Sequence, residues 1–149
     1  MPSKKIINFL IVGQGIAGTT LAHKLYEIGN TVHLIDNKHQ SSSSLVAGGV
    51  THPMSFKRII LSWKADSLIP VAKAYYNAFE ATFKTKVFHE LHMTRVFSSI
   101  EEQNNWQGRM ADIPMKDIIS DEEFGLNFPF GSGKVNMAGR LDVALYLSR

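Results

Sequence analysis

The sequence predicts an α/β fold that begins with a parallel sheet. A nearly continuous apolar run over residues 6–12 is typical of a strand covered on both faces. It leads into Gly13-Gln14-Gly15-Ile16-Ala17-Gly18, after which apolar residues recur at helical spacing. A second strand-like run over residues 31–35 ends on Asp36. This order of strand, glycine turn, helix, strand and acid is the fingerprint of a Rossmann-like dinucleotide-binding domain.

Each position of this motif has a mechanical reason. Gly13 lets the chain turn off the strand, Gly15 lets a pyrophosphate approach the backbone, and Gly18 lets the helix pack against the sheet. Asp36 lies 18 positions after Gly18, where a carboxylate accepts hydrogen bonds from ribose hydroxyls. Its charge disfavours the 2′-phosphate of NADP. The motif alone does not separate FAD from NAD, and a glycine-rich turn without a ligand is the alternative interpretation.

The remaining elements are predicted from periodicity and punctuation. Gly29 marks the end of the first helix, and Pro70 either starts the second half of a long helix or kinks it. In order, we expect a loop over 37–44, the long helix over 59–83, a strand over 87–98, a helix over 101–111, an irregular stretch over 113–130, a short strand over 133–137 and the start of a helix over 141–147. A two-stranded parallel pair is not a stable sheet, so we expect further strands, either within this chain or outside it. We therefore expect the chain to be the N-terminal fragment of a longer protein.

Composition excludes several classes of site. The chain has 149 residues, which suits one domain, and 44% of them are hydrophobic. It has no cysteine, hence no disulfide, thiol nucleophile or cysteine metal site, and we expect a cytoplasmic protein. The first apolar run is too short to span a membrane. The formal charge of +3 is scattered, so nucleic acid, tRNA included, is permitted as a partner but not indicated.

The segment after Asp36 carries a resemblance to a known family. It reads Ser43-Ser44-Leu45-Val46-Ala47-Gly48-Gly49-Val50-Thr51-His52-Pro53-Met54. With the preceding motif it resembles the FAD-dependent amino-acid oxidase family, which includes glycine oxidase, D-amino-acid oxidase and sarcosine oxidase. The pattern from Ala47 to Met54 is especially similar to glycine oxidase and to the oxidoreductase half of the bacterial enzyme that matures methylaminomethyl-thiouridine in tRNA. The resemblance is specific over 6–54, diffuse over 55–149, and covers only the first part of the family's length.

The resemblance implies an FAD-binding core over residues 1–54 and the start of a mixed α+β substrate region over 55–149. Glycines at 48 and 49 let the backbone pass a flat ring, and the hydroxyls of Ser43 and Ser44 can bind pyrophosphate or ribityl oxygens. A plain turn is the alternative for the glycine pair. The family has a basic residue just beyond the acid, where Asn37 departs and Lys38 could serve. The implied cofactor-binding residues are Gly13, Gly15, Ile16, Ala17, Gly18, Asp36, Asn37, Lys38, Ser43, Ser44, Ala47, Gly48, Gly49, Val50 and Thr51.

Two further residues have two interpretations each. His52 lies near the flavin face or caps a backbone carbonyl. Arg95 binds a substrate carboxylate or is an ordinary surface or ion-pair arginine. His89 and His92 are three apart on a predicted strand and therefore point to opposite faces, so no metal site is expected. No catalytic residue can be identified.

The resemblance implies an FAD-dependent oxidoreductase that oxidises a C–N bond of a small amino acid or secondary amine. An NAD-dependent Rossmann reductase and a nucleotide-binding remnant without activity are the alternatives. We expect the 149 residues alone to be inactive, and exposed strand edges to cause self-association.

Overall fold

The computed structural model of the protein describes residues 8–38, 42–121 and 128–149. The fold is mixed α/β. In chain order its elements are β1 Asn8–Val12, α1 Ile16–Glu27, β2 Thr31–Ile35, α2 Ser43–Val46, β3 Val50–Thr51, β4 Met54–Ser55, β5 Ile60–Leu61, α3 Ala65–Phe83, β6 Phe88–Val96, α4 Ile100–Met110, β7 Ile119–Asp121, β8 Ser132–Leu141 and α5 Val143–Leu147.

The chain forms two compact units. Among the described residues, the first consists of those up to Gly49 together with Asp142–Arg149, and the second of those from Val50 to Leu141. The end of the chain therefore returns to the unit in which the glycine motif lies. The predicted division at residue 54, between an FAD-binding core and a substrate region, stays a prediction.

The first unit contains the predicted strand–helix–strand arrangement. β1 and β2 are parallel and in register from Asn8 opposite Thr31 to Val12 opposite Ile35. Gly29, at φ +83°, follows the end of α1, and its amide donates to the carbonyl of Tyr26 at 2.8 Å. These three elements of the sequence prediction are confirmed.

The surroundings of β1 differ from the prediction of a strand covered on both faces. Ile11 is 8% exposed, but Leu10 and Val12 are 65% and 79% exposed. Within the described ranges, β1 and β2 pair only with each other. The apolar character of this strand is thus not accounted for by burial within the described chain.

The second unit is built on an antiparallel sheet, so the predicted parallel sheet is limited to β1 and β2. β8 lies between β3 and β6, and β7 also pairs with β8, all antiparallel. Trp106 of α4 is completely buried against this sheet. A Cβ at Gly133 of β8 would overlap the Trp106 ring, so glycine is needed there for close packing. The core around Trp106 comprises Met54, Ile59, Phe97, Met115, Ile118, Ile119 and Val135.

The long helix begins later than its periodicity predicts. Ile60–Leu61 pairs with Met54–Ser55 as a small antiparallel hairpin, and α3 starts only at Ala65. Ile59 is buried with φ +50°, an unusual conformation for a β-branched residue, and Lys64 has φ +51° before the helix. Strand pairing and burial of Ile59 therefore override helical spacing over 59–64. Pro70 lies inside the helix, which continues to Phe83.

Three other boundaries also differ. β8 runs to Leu141, well beyond the predicted strand over 133–137, because its pairing with Phe88 and His89 of β6 extends it. α5 then begins at Val143, and the Asp142 carboxylate caps it by accepting from the Leu145 amide at 3.0 Å. The predicted loop over 37–44 contains the start of α2, and the predicted irregular stretch over 113–130 contains β7. The part of that stretch over 122–127 lies outside the described residues.

The predicted strand over 87–98 and helix over 101–111 are confirmed as β6 and α4. Among the described helices, none is both long and apolar enough to cross a lipid bilayer.

Candidate functional site

The glycine turn between β1 and α1 has the backbone geometry that the motif requires. Gly13 has φ +102°, a conformation that favours glycine, and its amide donates to the Ile35 carbonyl at 2.8 Å. A Cβ at Gly18 would collide with the carbonyl oxygen of Gly13. Gly13 and Gly18 are therefore required by the turn and by helix packing, whether or not a ligand binds.

The start of α1 offers amide donors. The first bond that returns along the helix runs from the Thr19 amide to the Gly15 carbonyl at 3.0 Å, so the amides of Ile16, Ala17 and Gly18 precede it. No acidic residue lies in the first turn. Such a helix start attracts an anion through its N–H groups and its partial positive charge.

Ser44 of α2 lies directly at this helix start. Its Oγ accepts a hydrogen bond from the Ile16 amide at 3.1 Å. A Cβ at Gly15 would come within 2.8 Å of the same Oγ. The lack of a side chain at Gly15 therefore lets Ser44 approach the helix, and Ser44 occupies a position that suits an oxygen of an anionic ligand.

The Asp36 carboxylate joins the end of β2 to the glycine turn. Oδ2 accepts the Gln14 amide at 2.7 Å, and Oδ1 accepts the Lys38 amide at 2.6 Å. The bond from Gln14, followed by that from Lys38, holds the pKa of Asp36 below its usual value, so the group is ionised at neutral pH. Each carboxylate oxygen has a second lone pair, which leaves Asp36 able to accept two further hydrogen bonds.

The Asp36 carboxylate and the turn at Gln14 and Gly15 line one cleft within the first unit. Its volume is about 320 Å³, at the lower end of the usual size of small-molecule sites. The predicted residues Gly15, Asp36 and Lys38 line it. The other lining residues were not among the predicted set: Gln14, Ser42, Leu45, Ala144, Leu147 and Ser148.

The contribution of α5 is the part of this cleft that sequence reasoning missed. Tyr146 is fully buried, and its hydroxyl lies 2.8 Å from the Thr20 hydroxyl of α1. This contact fixes α5 beside α1, so that Ala144 and Leu147 reach the cleft. No local signal in the sequence indicates a contact between residues as distant in the chain as Thr20 and Tyr146. Gln14, in contrast, could have been predicted as a cleft residue, because it is the variable position between the first two glycines of the motif.

The other predicted cofactor residues have defined positions in the structure, but their contact with a cofactor stays a prediction. The side chains of Asn37, Ser43 and Ala47 are exposed, as is Gly48, and Gly49 has φ +69°. Val50 and Thr51 form β3 of the second unit, where they pair with Arg140 and Gly139. The contact of residues 47–51 with a flat ring stays a prediction.

His52 and Arg95 both lie in the second unit and pack on Phe56. The His52 ring stacks on Phe56 at 5.2 Å, and within the described part of the chain its buried Nδ1 has no hydrogen-bond partner. The Arg95 guanidinium lies 5.6 Å from the Phe56 ring centre and pairs with Glu102 at 2.6 Å. Arg95 thus forms an ion pair, as expected if it is an ordinary ion-pair arginine. Over the described ranges, no three acidic or histidine side chains are grouped as metal ligands would be.

Comparison with known proteins shows which solved structure this fold is similar to. No family model matches this chain. Its structure is similar to that of iminodiacetate oxidase from Chelativorans sp. BNC1, with a TM-score of 0.70 and 16% sequence identity. The similarity covers 94% of this chain and 42% of that chain, so the chain spans less than half the length of the oxidase. The chain therefore shares an oxidase-like fold.

Replacing Ser44 with alanine tests the contact at the helix start. We expect the Ile16 amide to exchange with solvent about fivefold faster in Ser44→Ala, because it loses its acceptor. Amide hydrogen exchange followed by NMR measures this rate. Ser43→Ala, one residue earlier and exposed, is the control and should leave the rate unchanged. Equal rates in Ser44→Ala and the parent would contradict the contact.

Proposed function

We propose that this chain is the FAD-binding part of an oxidoreductase that oxidises a C–N bond of a small amino acid or secondary amine. The observation that carries the proposal is the cleft in which the Asp36 carboxylate faces the start of α1. The oxidase-like fold supports the same reading at a coarser level.

The adenosine end of the cofactor is assigned to Asp36. Its two oxygens are held in place by the Gln14 and Lys38 amides, at 2.7 and 2.6 Å. The two remaining lone pairs suit two adjacent hydroxyl donors, the arrangement found on a ribose. Bonds to an ionised acceptor are stronger than those to a neutral one, so a carboxylate at this position suits the two ribose hydroxyls.

The pyrophosphate is assigned to the start of α1. The amides of Ile16, Ala17 and Gly18 are the donors, and Gly15 carries no side chain that would block the approach. In the structure, the Ser44 hydroxyl oxygen accepts a hydrogen bond from the Ile16 amide at 3.1 Å. A bound phosphate oxygen would replace it there, and the hydroxyl could then turn to donate to the phosphate. Lys38, on the wall of the cleft, adds a positive charge.

The ring is assigned to residues 47–49 of the first unit by sequence resemblance. Glycines at 48 and 49 leave backbone that a flat ring can approach closely. When bound, the flavin supplies the redox chemistry by accepting a hydride equivalent from the carbon next to the amine nitrogen. The residues of this chain bind and orient the cofactor and exclude water from it, and none of them is assigned a proton transfer.

The alternative of an NAD-dependent reductase uses the same glycine turn and the same acid. The oxidase-like fold favours a flavin over a nicotinamide. A nucleotide-binding module without turnover remains the third candidate, and cofactor binding followed by an activity assay separates the three.

We expect the chain to bind FAD in preference to NAD, and Gly15→Val to abolish binding by steric collision with the pyrophosphate. Quenching of flavin fluorescence on titration measures affinity, with NAD as competitor. Valine at 15 also collides with Ser44, so the double variant Gly15→Val/Ser44→Ala relieves that contact and should still not bind. Gly108→Val, on an open face of α4, is the control that should bind normally. Binding by the double variant would place the pyrophosphate elsewhere.

We expect Asp36→Ala to weaken FAD binding roughly ten- to a hundredfold, since two bonds to a charged acceptor are lost. Because the pKa of Asp36 is lowered, the parent should keep its affinity as pH falls from 8 to about 5, and lose it only below the usual pKa of about 4. Titrations across this pH range test both statements. Asp117→Ala removes another exposed acid and should change nothing. A parent affinity that already declines above about pH 5 would contradict the assignment to Asp36.

We expect the 149-residue chain, loaded with FAD, to show no steady oxidation of amines, since it spans 42% of the length of the similar oxidase. A panel of small amino acids and secondary amines, assayed for hydrogen peroxide, measures this. Steady turnover would be the contrary result and would mean that residues 50–141 build a complete substrate site.

A further inference from the structure

We propose that a second cavity, which lies wholly within the second unit, binds a small amino acid as its zwitterion. The inference does not rest on FAD binding. The cavity lies between the start of α3 and strands β6 and β8, and it has a volume of about 190 Å³. Its apolar walls are Ile69, Pro70, Phe88, Met137 and Ala138. The two polar residues that line it are Lys73 and Glu90.

The Lys73–Glu90 pair selects the charge of the ligand. Lys73 Nζ lies 2.6 Å from Glu90 Oε2, and the two side chains are 43% and 61% exposed. An ion pair this exposed contributes little to stability and opens at little cost. A zwitterion can replace both partners at once, its carboxylate on Lys73 and its ammonium on Glu90. A ligand with one charge would leave either Lys73 or Glu90 without a partner.

Glu80, on the same helix as Lys73, is an ion-paired carboxylate of the second unit that also accepts backbone hydrogen bonds, and it differs in this from Glu90. Its Oε1 accepts the amides of Val87 and Phe88 at 2.9 and 2.7 Å, and its Oε2 accepts from Lys86. Those bonds tie α3 to the start of β6. Glu90 has no such amide bond among the described residues, so its carboxylate is free to exchange Lys73 for another cation.

An irregularity in β8 shapes one wall. Between the matched pairs Leu91–Ala138 and Met93–Val135, β8 carries two residues opposite the single residue His92 of β6. Within this bulge Met137 has φ +60°, and the Asn136 amide turns to the Ile118 carbonyl at 2.7 Å. Bulges re-aim side chains and are frequent near binding sites. Here the bulge brings Met137 to the cavity wall.

Size and polarity together set the ligand class. The cavity is smaller than the roughly 300–1,000 Å³ of sites for drug-sized molecules. Pro70 lacks an N–H group, so it adds apolar surface without a donor that needs a partner. A short aliphatic side chain against these walls, with a zwitterionic head at Lys73 and Glu90, satisfies both parts of the cavity. Leucine is the amino acid that we choose as the probe.

NMR titration of the full chain with three probes that share the isobutyl group of leucine tests the proposal. L-leucine has both charges, 4-methylpentanoate has only the carboxylate, and 3-methylbutylamine has only the ammonium. We expect leucine alone to shift the amide resonances of Ile69, Lys73 and Glu90, in a saturable manner. No shift with leucine, or equal shifts with a singly charged probe, would overturn the proposal. Shifts confined to residues 13–18 would also overturn it, since they would place leucine at the FAD cleft.

Variants of the ion pair give the second arm. Lys73→Met and Glu90→Gln should each weaken leucine binding at least about fivefold, whereas Lys24→Met should leave it unchanged. Lys24 forms an exposed pair with Glu27 in the first unit and is the matched control. The double variant Lys73→Glu/Glu90→Lys retains one charge of each sign and should recover binding. Undiminished binding in both single variants, with dispersed spectra that show a folded chain, would refute the role of the pair.

Discussion

The hydrogen bond from the Gln14 amide to the Asp36 carboxylate is the interaction on which the first unit depends. It joins the end of β2 to the turn that follows β1, so the two parallel strands end together at one edge. The Gly13 amide reinforces the junction by donating to the Ile35 carbonyl. Because Asp36 also accepts the Lys38 amide, the carboxylate is fixed before any ligand arrives. A preorganised acceptor of this kind loses little freedom on binding.

The second unit uses carboxylates in a related way, but for its own architecture. Desolvation raises the pKa of Glu80, yet the bonds from Phe88, Lys86 and Val87 outweigh it, and the pKa lies below its usual value. Glu102 is similar, because the bonds from Ser98 and Arg95 outweigh desolvation. Both groups therefore stabilise the fold above the pKa of an unfolded glutamate, and this contribution is lost as pH falls through their lowered values. The pKa of Asp36 is also lowered, so its contribution to stability has the same pH dependence, but Asp36 in addition lines a cleft.

Two glycines show how differently the same residue type is used. Gly18 is needed because α1 passes close to the Gly13 carbonyl, and this need was predicted from the motif. Gly133 is needed because Trp106 lies against β8, and nothing near Gly133 in the sequence indicates this. The first requirement arises from neighbours in one turn, whereas the second joins residues 27 positions apart through tertiary packing.

The sequence by itself determined the local unit: β1, the glycine turn, α1, β2 and the position of Asp36. These depend on spacing within some thirty residues, where backbone sterics and helical periodicity act directly. The tertiary structure alone decided the antiparallel sheet, the hairpin over 54–61 and the placement of α5 beside the cleft. Each of these depends on pairing between distant segments, such as β6 with β8 or Thr20 with Tyr146. Hydrophobic periodicity cannot encode such partners, because an apolar residue is compatible with many neighbours and only the packed chain selects one.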